Sequence, residues 1–360
     1  MILARHIVPW LKYVPFGNGN FSKFAHVGWE WELKYQAHRD FGDAILMVSP
    51  GKNWIYVCNA ETIHDVIQRE RRHDFERPVE LLAVLDVFGA NISTVYGADW
   101  QRQRKVTATA FTEKTNRLVW DEALQQARQM LAFWESSAED YEEVRKAVEE
   151  KRPTEENLMT NLVRASIGAT NSDVHDSVSQ RKTGMTREEV FGNMFVFNFA
   201  GHDTTAHSLN FTFYLLAVHP WVQEWMNEEI KHVFQDGNVS SWNYDTFPKL
   251  NRCLAVLYET LRLYNPVLSV VKGTQDNTTD LTIDGKSYTI PPNTRVILNL
   301  NAAHSHPRAC PGKKFAQVEH AAVMAALFHS HRVEPVRLAG EDMEQARKRT
   351  ADCIANSGMR

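Results

Sequence analysis

The chain has 360 residues, of which 43% are hydrophobic and 23% charged, so it is long and apolar enough for a globular fold with a sizeable core. Its 40 basic and 44 acidic residues are well mixed and give a net charge of −4, which argues against the basic surface of a nucleic-acid-binding protein. The four cysteines are scattered, which argues against a Cys-x-x-Cys zinc site or a disulfide framework and is typical of a reducing compartment.

The N-terminal segment does not have the pattern of a targeting or spanning sequence. Residues 1–17 are too short and too often interrupted by charged residues and proline to form a signal peptide or a membrane span. No apolar run of membrane-spanning length occurs elsewhere. The sequence therefore predicts a chain without an integral membrane segment.

The first part of the chain predicts a hairpin followed by helices. Residues 44–58 form two apolar runs around a Ser-Pro-Gly turn, which predicts two short strands, and the pattern becomes helical from Ala60. A helix is predicted to start near Ala98, after a turn-rich stretch. Residues 119–150 predict a charged helix on the protein surface, which ends at Pro153.

The second part predicts one very long helix. Thr186 and Glu189 have the spacing of a capping box, and the apolar pattern that follows continues to His219. Such a helix is far longer than the average of about 11–12 residues. The remaining predictions are a helix from Pro220, a helix over 249–264, extended segments over 270–300 that turn at Asp284-Gly285, and a final helix after Cys310.

Residues 200–205 of the long helix read Ala-Gly-His-Asp-Thr-Thr. Gly201 costs a helix about 1 kcal/mol relative to alanine, and Thr204 can donate a hydrogen bond to the carbonyl of Ala200 and open the helix locally. The resulting groove, flanked by the Asp203 carboxylate, is suited to holding a small polar ligand and passing protons to it. A plain kink in a packing helix explains these residues equally well.

Cys310 precedes the last predicted helix, where the helix dipole and free N–H groups favour a thiolate. Gly312 would let a flat macrocycle approach the backbone closely. For a lone Cys-x-Gly, a buried thiol beside a helix start is the simpler interpretation.

In each of two further pairs, the two residues are three or four positions apart and therefore lie on the same face of a helix. Trp100 and Arg104 offer an indole N–H and a guanidinium to an anionic group, or else form a stacked surface pair. Glu259 and Arg262 are three residues apart, and alone they predict only a surface ion pair of about 0.2–0.5 kcal/mol.

Taken together and in this order, these motifs resemble the cytochrome P-450 family of heme-thiolate monooxygenases, and their flanking sequence is similar to fungal microsomal members. The motifs are Trp-x-x-x-Arg, Ala-Gly-x-Asp-Thr-Thr, Glu-x-x-Arg and Cys-x-Gly-x-x-x-Ala. The resemblance implies a mainly α fold with a small β portion, in a single domain over 1–360. It also implies a heme, a small-molecule substrate, electrons from NADPH through a reductase, and association with the endoplasmic reticulum membrane.

The resemblance also implies a role for each motif residue. Cys310 would be the axial thiolate ligand of the heme iron, and Asp203 and Thr204 would deliver protons during oxygen activation. The other implied roles are an oxygen groove for Ala200 and Gly201, propionate binding for Trp100 and Arg104, close approach of the heme at Gly312, and support of the core beneath the heme for Glu259 and Arg262.

The chain departs from the family pattern at two internal positions. Arg308 stands where the family has a heme-binding arginine before the cysteine, but His306 and Ala303 replace the preceding glycine and phenylalanine. The sequence passes from a segment typical of a more upstream region straight to Cys310, which predicts the loss of the meander and most of the cysteine loop. A second gap is predicted after Trp134, where helices that roof the substrate pocket are expected.

Three functions follow from these departures. We expect an inactive, truncated relative, because the predicted gaps remove the cysteine loop, the pocket roof and the usual third partner of Glu259 and Arg262. The alternatives are a compact working monooxygenase and a non-enzymatic zinc-binding protein that uses His304, His306 and Cys310. By analogy the ancestral substrate would be a fungal secondary metabolite, such as an alkaloid, and the chain without an anchor would be cytoplasmic or peripheral.

Overall fold

The computed structural model describes residues 20–24, 28–49, 51–69, 74–135, 184–303 and 310–356. Its helices are α1 (Asn20–Phe24), α2 (Trp29–Leu33), α3 (Gln36–Phe41), α4 (Ala60–Arg69), α5 (Val79–Leu82), α6 (Gly97–Ala108), α7 (Glu113–Glu135), α8 (Arg187–Val218), α9 (Pro220–Val233), α10 (Asn251–Leu263), α11 (Leu300–Ala303), α12 (Lys313–Phe328) and α13 (Met343–Asn356). Its strands are β1 (Ala44–Val48), β2 (Asn53–Val57), β3 (Ser269–Gly273), β4 (Thr279–Ile283), β5 (Lys286–Ile290) and β6 (Thr294–Asn299). The fold is mostly helical with a small β portion, as the sequence predicts.

The chain divides into two compact units. The sheet unit comprises residues 1–78, 261–308 and 352–360, and the helical unit comprises 79–260 and 309–351. Two of these boundaries fall inside helices, between Thr260 and Leu261 in α10 and between Ala351 and Asp352 in α13, so each of these helices contributes to both units.

The sheet unit contains a four-stranded sheet with the order β1-β2-β6-β3. Strands β1 and β2 pair antiparallel, β2 and β6 pair parallel, and β3 and β6 pair antiparallel. A separate hairpin joins β4 and β5 through Asp284 and Gly285, whose φ angles of 49° and 72° are those of a turn that matches strand twist. Both hairpins predicted from the sequence are therefore confirmed.

The helical unit has its core along α12. The side chains of Val318, Ala321 and Met324 have no exposed surface, and α12 packs against α7. The alanine side chains of α12 are small, so the backbones of α12 and α7 can approach each other closely. The prediction that the segment from residue 119 lies on the surface is wrong for α7, since Trp120 is fully buried in this core.

The long helix α8 has 32 residues and begins and ends as predicted. Glu189 N donates to Thr186 Oγ1 at 3.2 Å, and Thr186 N donates to Glu189 Oε2 at 2.9 Å, which completes the capping box. His219 ends the helix, and Pro220 is the first residue of α9.

The sequence analysis missed one helix after α12. Helix α13 is rich in charged residues, so its apolar periodicity is weak, and the prediction that the helix after Cys310 is the last one is wrong. Its start did carry a signal, because Gln345 N donates to Asp342 Oδ1 at 2.8 Å and Asp342 N donates to Gln345 Oε1 at 2.9 Å. Among the described helices, none is both long and apolar enough to cross a membrane.

Candidate functional site

The motif residues of the implied heme site lie in the helical unit wherever the structure describes them. They are Trp100 and Arg104 on α6, Ala200, Gly201, Asp203 and Thr204 on α8, and Cys310 and Gly312 at the start of α12.

The middle of α8 has the hydrogen bond predicted from its sequence, but not the predicted local opening of the helix. Thr204 Oγ1 donates to the carbonyl of Ala200 at 2.7 Å, while the helix continues without a break through this point. A methyl group added at Gly201 would meet no other atom within 4 Å, so this helix face has open space above it. The exposed Asp203 carboxylate lies 3.1 Å from the imidazole of His202. The result is a roomy helix face that carries a hydroxyl and a carboxylate.

The Cys310 thiol is exposed and lies just before α12. Gly312 is the residue that caps the helix, and Lys313 N donates to the carbonyl of Cys310 at 3.2 Å. A methyl group at Gly312 would meet Cys310 Sγ at 3.9 Å, an ordinary contact, so packing within the described residues does not require glycine there. An accessible sulfur beside the positive end of a helix dipole is suited to binding a metal ion as a thiolate.

Phe111 connects the two helices that carry these groups. Its ring centroid lies 5.6 Å from that of Phe197 on α8 and 4.8 Å from that of Phe315 on α12. Sequence reasoning did not identify Phe111, because an isolated aromatic residue after a helix belongs to no motif. Its contacts link α8, which carries the predicted groove residues, with α12, which follows Cys310.

A buried polar cluster adds a second connection between α8 and α12. Thr212 Oγ1 lies 3.2 Å from His320 Nε2 and 3.1 Å from Thr260 Oγ1 of α10. His320 is fully buried, and desolvation lowers the pKa of its imidazole to about 3, so it is neutral at physiological pH. Its Nδ1 atom has no hydrogen-bond partner among the described residues.

Trp100 and Arg104 lie one turn apart on α6, and both are half-buried. Within the described part of the chain, the Arg104 guanidinium forms no hydrogen bond or ion pair. A half-buried guanidinium with open donors is suited to a charge-assisted hydrogen bond with a carboxylate. This pair therefore fits a ligand that carries anionic groups.

Glu259 and Arg262 are both exposed on α10. A buried Glu–Arg pair that lacks the third partner of the family pattern would carry a desolvation cost. That cost does not arise here, because both side chains are exposed. Arg308 lies outside the described residues, as do His304 and His306 of the zinc hypothesis. Among the described residues, no group of three His, Cys, Asp or Glu side chains is arranged to hold a metal ion.

These side chains fit a thiolate-ligated heme in their chemistry. The exposed sulfur of Cys310 can ligate iron, and the open donors of Arg104 can bind a propionate. The space above Gly201 leaves room for a small ligand beside the Thr204 hydroxyl.

A scan against protein families matches residues 128–307, which is half of the chain, to the cytochrome P-450 family model. The match contains α8 and the Glu-x-x-Arg motif, and it ends three residues before Cys310.

Curated relatives show the same family. A cytochrome P-450 monooxygenase of Arthrobotrys oligospora is 24% identical in an alignment of 499 positions that covers 95% of this chain and 85% of the relative. Because 499 positions exceed the 360 residues of the chain, that alignment contains long gaps on this chain's side. The phomenoic acid biosynthesis cluster cytochrome P-450 monooxygenase of Leptosphaeria maculans is 22% identical over 81% of this chain and 76% of the relative.

Solved structures agree on the fold. The crystal structure of a cytochrome P-450 superposes with a TM-score of 0.65 and 16% identity, covering 87% of this chain and 90% of that chain. The family match, the relatives and this superposition establish that the chain belongs to the cytochrome P-450 family.

Proposed function

We propose that this chain descends from a monooxygenase that oxidises small organic molecules at a heme iron held by Cys310, and that the chain itself has lost most of that activity. The observation that carries the proposal is that the family match stops at residue 307, immediately before the segment that contains the thiolate ligand. The gaps in the alignment with the Arthrobotrys oligospora relative support internal loss of sequence.

The residues that remain have definite roles toward a heme. A bound heme supplies oxygen activation and the insertion of one oxygen atom into the substrate, with electrons from NADPH through a reductase. Cys310 would hold the iron, and Trp100 and Arg104 would donate hydrogen bonds to a propionate. Asp203 would place its carboxylate beside the groove.

Thr204 has a directional role in the groove. Its only hydroxyl proton is donated to the carbonyl of Ala200 at 2.7 Å, so Oγ1 presents lone pairs to the open space. A ligand in that space would donate a hydrogen bond to Thr204 and could then receive a proton from the direction of Asp203. This arrangement orients a small polar ligand without any movement of the helix.

The loss of activity follows from the surroundings of the thiolate. The protein around a metal–ligand bond controls solvent access and supplies hydrogen bonds to the ligand atom. The Cys310 sulfur is exposed, and the match to the family model ends at residue 307, before the cysteine is reached. A thiol that is accessible to water and oxidants is open to oxidation, so we expect weak heme retention and little turnover.

The ancestral substrate class is proposed from the relatives. The Leptosphaeria maculans relative is named for the phomenoic acid biosynthesis cluster, which supports a secondary metabolite as the substrate. For an active ancestor, the family implies a microsomal reductase as the electron-transfer partner and association with the endoplasmic reticulum membrane.

The absorption spectrum of the reduced, carbon-monoxide-bound chain tests this proposal. The purified chain and Cys310→Ser would be reconstituted with heme, and circular dichroism would verify that both are folded. We expect little heme uptake and no strongly red-shifted Soret band in either protein. A strong red-shifted band that Cys310→Ser abolishes would overturn the proposed loss and favour a compact working monooxygenase.

A loop restoration provides a positive control. Inserting the corresponding cysteine-loop segment of the Arthrobotrys oligospora relative between Arg308 and Ala309 should increase heme uptake and produce the red-shifted band. If the restored chain binds heme no better than the original, the missing loop is not the cause of the loss.

A further inference from the structure

Helix α6 uses a second face, different from that of Trp100 and Arg104, to bind α8. Arg102 Nη2 lies 2.6 Å from Glu189 Oε1, and Arg102 Nη1 lies 2.8 Å from Glu189 Oε2. Each of these side chains is only 12% exposed. Two parallel charge-assisted hydrogen bonds fix direction as well as distance, so this pair sets the orientation of α6 on the first turn of α8.

Further hydrogen bonds hold both members of the pair. Arg102 also donates to the carbonyl of Gly184 at 2.6 Å and to Asp99 Oδ1 at 2.9 Å. Burial raises the pKa of Glu189, but hydrogen bonds from Arg102 and the Thr186 backbone outweigh it, so the pKa lies below its ordinary value. The carboxylate is therefore ionised and held at physiological pH.

A second layer lies one turn further along α8. Asn193 is fully buried, and its Nδ2 donates to Gln103 Oε1 at 2.9 Å and to the carbonyl of Glu189 at 2.7 Å. Its Oδ1 accepts from the backbone N–H of Ile92 at 3.1 Å, so it holds the loop before α6 as well. Every hydrogen-bonding group of this amide has a defined partner.

Both apolar and polar contacts hold α6 against α8. Val106 packs on the small apolar cluster of Met185 and Val190, while the fully buried side chains of α6 are Gln103 and Thr107. Apolar packing is non-directional and tolerates sliding, whereas a network of paired hydrogen bonds specifies one register. The register of α6 on α8 is therefore set by its bonds to Glu189 and Asn193.

We propose that Glu189 is a positioning residue of the heme site, which acts through Arg102 to fix the helix that presents Trp100 and Arg104 relative to the helix that carries Ala200 and Thr204. The functional meaning of this inference rests on the proposed heme site. The structural part does not, because the network lies wholly between α6, α8 and the loop before α6.

A spin-label distance measured on the heme-free chain tests the inference. Labels on cysteines introduced at Lys105 of α6 and Asn198 of α8, both exposed, would report the spacing of the two helices in a background with Cys310→Ser and Cys353→Ser. Glu189→Gln keeps the capping box, which accepts Glu or Gln, and removes the bidentate ion pair with Arg102. We expect this variant to shift and broaden the distance distribution.

The control is Glu341→Gln, which removes another bidentate ion pair of the helical unit. Arg349 Nε lies 2.9 Å from Glu341 Oε1, and Arg349 Nη2 lies 2.9 Å from Glu341 Oε2, far along the chain from α6 and α8. This control should leave the distribution unchanged. An unchanged distribution in Glu189→Gln, or an equal change in both variants, would overturn the inference.

A heme titration separates this inference from the proposed function. If the chain takes up heme, Glu189→Gln should lower the heme affinity about tenfold, while Glu341→Gln should not. If the chain takes up no heme at all, the heme site fails, but the spin-label result still decides the positioning role. If Glu189→Gln does not fold, Arg102→Lys is the alternative variant, because it keeps the charge but cannot form two parallel hydrogen bonds to Glu189. It should broaden the distance distribution in the same way.

Discussion

Thr212 Oγ1 lies 3.2 Å from His320 Nε2, and this contact joins the helix of the oxygen-groove motif to the helix that follows Cys310. The Thr212 proton is shared between the carbonyl of Ser208 at 2.8 Å and the hydroxyl of Thr260 at 3.1 Å. His320 Nε2 is therefore the donor to Thr212, and Nδ1 carries a buried lone pair. A neutral imidazole in one tautomer thus holds α8, α10 and α12 together.

This buried histidine predicts a loss of stability in acid. The pKa of His320 is lowered by desolvation from 6.5 to about 3, so the unfolded chain takes up a proton more readily than the folded chain. The contribution of His320 to the free energy of unfolding is complete above its unfolded pKa and falls by about 1.4 kcal/mol per pH unit below it. Between about pH 7.5 and about pH 5, we expect this group to cost about 2 kcal/mol.

Urea unfolding of the wild type and His320→Gln at both pH values measures this effect. The wild type should lose more stability than the variant on acidification, because glutamine cannot take up the proton. His232→Gln, which replaces an exposed histidine on α9, should follow the wild type. Equal losses in the wild type and His320→Gln would contradict the assignment.

The four cysteines should differ sharply in reactivity. Burial, together with the nearby Asp43 carboxylate, raises the pKa of Cys58 to about 12, and burial also raises the pKa of Cys253. Cys310 and Cys353 are exposed. Iodoacetamide at neutral pH should therefore alkylate Cys310 and Cys353 and spare the two buried thiols, because the thiolate is the reactive form.

Mass spectrometry of the native chain gives the alkylated positions, and urea-unfolded chain should react at all four. Because we propose that the chain retains heme weakly, added heme should leave both exposed thiols reactive. Protection of Cys310 alone would identify it as an iron ligand and contradict the proposed weak retention, whereas protection of both thiols would indicate nonspecific heme binding.

The N-terminal cap of α8 predicts a moderate loss on mutation. Thr186 Oγ1 accepts from Glu189 N at 3.2 Å, and replacing such a cap by alanine costs about 1 kcal/mol. Thr186→Ala should therefore lower the free energy of unfolding by about this amount in urea denaturation. Gln126→Ala, at an exposed position of α7, should stay within about 0.5 kcal/mol of the wild type.

Local signals explain which elements were predictable. The capping box at Thr186 and the proline after His219 specify both ends of α8, and the Asp284-Gly285 turn specifies the β4–β5 hairpin. Each signal acts within a few residues of chain, so it is present in the sequence before any tertiary contact forms. The hydrogen bond from Thr204 to Ala200 was predictable for the same reason.

Contacts between distant segments were not predictable in this way. Gln103 and Asn193 are separated by 90 residues, and their burial depends on the packing of α6 against α8. Polar residues are mostly exposed, so a single sequence gives no reason to place these two in a core.

Two glycines on α8 should respond oppositely to alanine. A methyl group at Gly192 would lie 2.2 Å from the carbonyl oxygen of Gly89, whereas one at Gly201 would meet nothing within 4 Å. Backbone atoms cannot move aside as a side chain can, so Gly192→Ala must displace the loop at Gly89 and should cost about 1–3 kcal/mol. Gly201→Ala should instead stabilise the heme-free chain by up to about 1 kcal/mol, because alanine is the better helix former.

Thermal unfolding of the two variants beside the wild type measures both effects, and each is the control for the other, since the same substitution is made on the same helix. If both variants were more stable than the wild type, then helix propensity rather than the close crossing of Gly192 with Gly89 would govern these positions, and destabilisation by Gly201→Ala would contradict the open space above that residue.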